Sequence, residues 1–64
     1  MERVKTKIVD YLRDNPGKDS VDIFFIMNES EQNYYLLAMS ELQDAGIVER
    51  RALTGINYGY FLTK

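Results

Sequence analysis

Two carboxylate pairs stand at spacings that chemistry can use: Asp10 and Asp14 are four residues apart, and Glu41 and Asp44 three apart. On a helix each pair shares a face. Paired carboxylates do acid–base work where their surroundings force their proton affinities apart, whereas the same spacing on a helix surface describes a solvated face. Ser20, Ser30 and Ser40 offer hydroxyls, but the chain has no histidine to serve as their base. Cysteine is also absent, which leaves neither a disulfide framework nor a zinc site of the Cys/His type. The glycines at 17, 46, 55 and 59 are scattered rather than gathered into a phosphate-cradling loop. These residues predict no catalysis, no metal and no cofactor.

The elements that position the remaining side chains are few, because 64 residues make one domain at most, near the lower end of what buries a self-sufficient core. One domain over residues 1–64 is therefore expected. Hydrophobic residues are 45% and charged residues 28%, a globular balance rather than that of a disordered chain. No apolar run reaches the roughly 20 residues that span a bilayer, and the charged start MERVKTK leads into no signal-type apolar stretch. A soluble, cytoplasmic protein with no membrane partner is the expectation.

The net charge of −2 is unevenly spread. Residues 1–18 carry Arg3, Lys5, Lys7, Arg13 and Lys18 against three carboxylates. Residues 19–45 carry Asp19, Asp22, Glu29, Glu31, Glu41 and Asp44 with no cation, and residues 46–64 carry Arg50, Arg51 and Lys64 against Glu49. The middle is acidic and both ends are basic.

Val4, Ile8 and Leu12, four apart with Tyr11 beside them, predict a helix over 2–14 with one buried stripe. Asn15-Pro16-Gly17 ends it. Asp19 or Ser20 caps a second helix through VDIFFIMN, whose five consecutive apolar residues also suit a buried strand; some of Ile23, Phe24, Phe25 and Ile26 should reach the surface or a partner. Asn28 and Glu29 make a turn, and Ser30 caps a third helix over about 31–45. Its inner face holds Tyr35, Met39 and Leu42 with Ala38 and Ala45 as small neighbours, and Gly46 ends it. Residues 47–52 and 58–63 are β-prone runs joined by Leu53-Thr54-Gly55-Ile56-Asn57, which suits a hairpin.

Three helices and a terminal two-stranded hairpin make an α+β chain, and LQDAGIVERR followed by YFLTK resembles the passage from recognition helix to wing in small winged helix-turn-helix regulators of bacteria, archaea and their mobile elements. Leu42 would point inward, Ala45-Gly46 close the helix, Ile47-Val48 enter the sheet, and Tyr60 and Leu62 share one face. The resemblance implies a third helix in the major groove of duplex DNA and a wing on the phosphates. It places Gln32, Asn33, Tyr34, Leu36, Leu37 and Ser40 on the outward face, with Gln32 and Asn33 as base readers. That helix carries no cation, so phosphate contacts fall to Arg50 and Arg51 of the wing, with Lys64, and to Arg3, Lys5 and Lys7 of the first helix. Arg50 and Arg51 alternate faces in a strand, so one at most points at a given phosphate row. A homodimer would add two weak half-contacts.

A second expectation comes from the same residues. Leu36, Leu37, Phe24 and Phe25 beside an acidic middle segment make an apolar, negative face that suits a basic protein partner. On that reading the winged helix is a protein-interaction module, an adaptor or small inhibitor, with little or no DNA binding.

Overall fold

The computed structural model describes residues 2–63. Three helices, α1 (Glu2–Asp14), α2 (Ser20–Phe25) and α3 (Glu29–Asp44), are followed by strands β1 (Val48–Ala52) and β2 (Tyr58–Leu62). The arrangement is the α+β one expected, three helices and then a two-stranded antiparallel hairpin.

The four-residue spacing in α1 buries Val4, Ile8 and Leu12 along one stripe. They meet Ile23, Met27, Tyr35, Ala38, Met39, Leu42 and Val48 in a single core. The backbone N–H of Asn15 still donates to the Tyr11 carbonyl at 2.8 Å, after which Pro16 and Gly17, at φ 87°, turn the chain away.

The second helix is shorter than expected. Asp19 caps it, its carboxylate accepting from the Asp22 N–H at 2.9 Å, and it ends at Phe25. Ile26 and Met27 follow in tight i→i−3 turns. This unwinding divides the apolar run: Ile23 and Met27 are buried, Phe24 and Ile26 pack against the core, and Phe25 is 73% exposed.

The third helix starts two residues earlier than expected, because the cap is Asn28 and not Ser30. Asn28 Oδ1 accepts from the Glu31 N–H at 2.8 Å and Glu31 Oε1 accepts from the Asn28 N–H at 2.9 Å. This reciprocal box satisfies two otherwise unpaired donors, and Ser30, exposed within the helix, has no glutamate three residues on. The Tyr35 hydroxyl donates to the Ser20 carbonyl at 3.2 Å and lies 3.0 Å from its Oγ, tying α3 to the start of α2. At the C-terminus Gly46, φ 74°, donates to the Gln43 carbonyl at 3.0 Å while Ile47 donates to Leu42 at 2.9 Å, a Schellman ending. Ala45 is its exposed C-cap and not an inner-face neighbour.

The hairpin pairs Val48 with Leu62, Arg50 with Tyr60 and Ala52 with Tyr58 on one side, and Glu49 with Phe61 and Arg51 with Gly59 on the other. Val48 is buried and Tyr60 and Leu62 pack on the core, so the first side faces the helices at the hairpin's base. An unexpected third edge completes the sheet. The Gly17 N–H donates to the Tyr60 carbonyl and the Tyr60 N–H to the Lys18 carbonyl, each at 2.9 Å. The segment between α1 and α2 thereby anchors the returning strand.

Candidate nucleic-acid interface

With Tyr35, Ala38, Met39 and Leu42 turned inward, the helical period turns Asn33, Leu36, Leu37 and Ser40 outward. Leu36 is 77% and Leu37 54% exposed, with Tyr34 beside them at 49%. Gln32 departs from the expectation. It is half-buried, and its side-chain amide donates to the Met27 carbonyl at 3.4 Å, so it belongs to the turn between α2 and α3 rather than to the outward face.

Phe24 is also not a surface residue: its ring packs edge-on against Tyr35, centroids 5.5 Å apart at 74°. Phe25, the other aromatic expected at an interface, stays exposed and shares the outer side of α2 with Val21, 58% exposed and four residues earlier.

Lys5 is the largest correction. Positions 5 and 7 lie on the two flanks of the 4/8/12 stripe, where α1 meets α3. Lys5 Nζ is 2.5 Å from Glu41 and 3.6 Å from Glu2, with its side chain 23% exposed, and Lys7 Nζ is 2.8 Å from Glu31. Each ammonium is engaged by a carboxylate of α3 rather than unpaired. The same pairs have an opposite consequence for α3, since its two interior carboxylates are compensated by α1. Only Glu29 and Asp44, at its two ends, remain acidic and exposed. The outward middle of the helix is thus neutral, although the residues around it read as acidic along the chain.

The Lys7 ammonium, and after it the Asn28 N–H, holds the Glu31 carboxyl below its ordinary value of 4.5; Glu41 raises Lys5 above 10.5. A depressed carboxyl contributes stability that is complete above the ordinary value and lost as pH falls through the folded one. Glu31→Gln should therefore lower the thermal midpoint at pH 7 and flatten its decline below pH 4.5, as followed by circular dichroism. An unchanged acid profile would show the pair to be energetically idle.

The hairpin cations are held differently. The Arg50 guanidinium lies 4.6 Å from the Tyr58 ring centroid, and Arg51 stacks at 4.6 Å over Phe61 while pairing with Glu49. They occupy opposite sides of the ribbon, as the strand alternation predicts. Among the described residues Arg50, Arg3 and Lys18 have no carboxylate within ion-pair distance; Lys64 lies outside those residues. Arg13 is paired with Asp10 at 2.8 Å, which removes one member of the Asp10/Asp14 pair, as Lys5 removes Glu41 from the pair with Asp44.

No protein-family model matches the chain, and neither does any curated protein or any solved structure. Among the described residues no helix is long and apolar enough to cross a membrane.

The interhelical ion pairs escaped sequence reasoning, although a usable signal existed. Lysines immediately flanking a buried helical stripe, together with glutamates ten residues apart on the neighbouring helix, are positioned to meet across the seam.

Proposed function

We propose that this chain is a cytoplasmic, DNA-binding transcriptional regulator that reads duplex DNA with the outward face of α3 and the wing, as a homodimer and with no catalytic step. The observation carrying this reading is the inward pairing of Glu31 and Glu41 with Lys7 and Lys5. It leaves Asn33, Tyr34 and Ser40 on a face with no uncompensated carboxylate at its middle. Asn33 is the base reader, and Arg50 meets the phosphates from a ribbon whose residues 50–63 contain no acid.

One unpaired guanidinium per wing, with Glu29 and Asp44 exposed at the ends of α3, keeps affinity per subunit low. Two linked copies recover it through effective concentration. Val21 and Phe25, four apart on the outer side of α2, supply an apolar contact for the second copy. The dimer would act by occupying a promoter.

Fluorescence anisotropy with a random duplex at about 50 mM and about 200 mM salt tests this reading. Binding should be weak and fall steeply with salt, and Arg50→Ala should reduce the slope of log K against log salt by about 1. Absence of binding at the lower salt rejects the proposal.

The exposure of Leu36 and Leu37 favours a second reading, in which α3 is a docking face for a basic protein segment.

A further inference from the structure

We propose that α3 selects A·T-rich duplex, with Leu36 and Leu37 packing on thymine 5-methyl groups and Asn33 pairing with adenine. The inference rests on the DNA-binding reading and gives it a base preference. In the major groove guanine is matched best by the fork of arginine or by lysine, cytosine by a carboxylate, adenine by a side-chain amide, and thymine by an apolar group against its methyl.

The outward face of α3 supplies only the last two chemistries. The helix contains no lysine or arginine, so it lacks a guanine reader. Its interior carboxylates are taken by α1, Glu31 at 2.8 Å from Lys7 and Glu41 at 2.5 Å from Lys5, so neither can accept from cytosine. Asn33 is exposed, and Leu36 and Leu37 stand three and four residues further on, at the same face and 77% and 54% exposed. One helical turn advances about 5.4 Å against about 3.4 Å per base along a strand, so the amide and the leucines address neighbouring base pairs.

A second α3 is a poorer occupant of this face. Antiparallel packing of two copies would set Glu29 of one helix against Asp44 of the other at both ends.

Four synthetic duplexes of two helical turns, about 20 base pairs, test the inference on the full chain. They are alternating A–T, the same with uracil for thymine, alternating G–C, and the same with 5-methylcytosine. Expected is tightest binding to A–T, a loss of about fourfold in affinity for each contacted methyl that uracil removes, and a gain when 5-methylcytosine replaces cytosine. In the Leu36→Ala/Leu37→Ala variant the thymine-to-uracil ratio should fall to about one, and in Asn33→Ala the A–T preference should shrink. Equal affinity for thymine and uracil duplexes, or a preference for unmethylated G–C, overturns the inference while leaving DNA binding in place. Failure to bind any of the four at low salt overturns both. The thymine–uracil comparison needs only the unsubstituted protein, so a variant that misfolds does not weaken the test.

Discussion

Alanine in place of Gly59 should destabilise the fold by about 3 kcal/mol, the cost of forcing an added group into a filled space. Gly59 sits where β2 passes the turn after α1, and a Cβ built there would lie 2.5 Å from the Gly17 carbonyl oxygen, 2.9 Å from its carbon and 2.9 Å from Leu53 Cδ1. Two of those three neighbours are backbone, so a rotamer change cannot relieve the clash. The segment that would have to move carries the hydrogen bonds between Gly17, Lys18 and Tyr60. Domains of this length have roughly 3–10 kcal/mol of total stability, so the substitution would consume a large part of it and lower the melting temperature by about 12–24 °C. Gly55→Ala is the control: nothing lies within 4 Å of its Cβ position, and its effect should stay within about 0.5 kcal/mol. Thermal melts by circular dichroism distinguish them. A Gly59→Ala protein melting within a few degrees of the parent would mean that the Gly17–Lys18 edge is not seated against β2.

That edge marks the limit of what sequence patterns convey. Amphipathic periods reveal elements that repeat, which is why α1 is legible from Val4, Ile8 and Leu12 and the inner side of α3 from Tyr35, Met39 and Leu42. A bridge at Lys18 spans too few residues to have a period, and nothing local to Gly17 announces its partner. The N-terminus of α3 was legible in principle, since Asn28 and Glu31 are spaced as a capping box; Ser30 competes as a cap but has no carboxylate to return the bond. The end of α2 was not legible, because five consecutive apolar residues carry no phase.

The candidate site divides on similar grounds. Outward placement of Asn33, Leu36, Leu37 and Ser40 follows from the helical period alone, with Tyr34 at the edge of that face. The pairing of Lys5 is hidden from charge summed along the chain, which treats near neighbours as partners, whereas Lys7 and Glu31 meet from 24 residues apart and Lys5 meets Glu41 across the same seam. The pairs cancel part of the basic start and part of the acidic middle at once. Gln32 and Phe24 lie one position from residues that do face outward, and their orientation depends on the turn at Met27 and on the Tyr35 ring.

Reversing the charge placed at position 36 should separate DNA from a protein partner by sign. Leu36 is 77% exposed at the centre of the outward face, so glutamate or lysine there should alter folding stability by no more than about 0.5 kcal/mol, a condition checked by melting each variant. Against duplex DNA, Leu36→Glu places a carboxylate among phosphates and base edges, where like charge costs several kcal/mol, and affinity should fall by about a hundredfold. Leu36→Lys gives up an apolar contact but adds a cation in the phosphates' field, and should bind more tightly than Leu36→Glu at low salt, with a slope steeper than the parent's by about 0.9. A basic protein segment responds in the opposite order: lysine repels it, while glutamate joins Glu29 and Asp44 in attracting it. Anisotropy titrations of the two variants on one duplex therefore yield a ranking that no general loss of structure can imitate, because such a loss weakens both. If Leu36→Glu binds DNA as well as the parent, α3 does not enter the groove, and the wing alone with Arg50 would carry whatever affinity is measured.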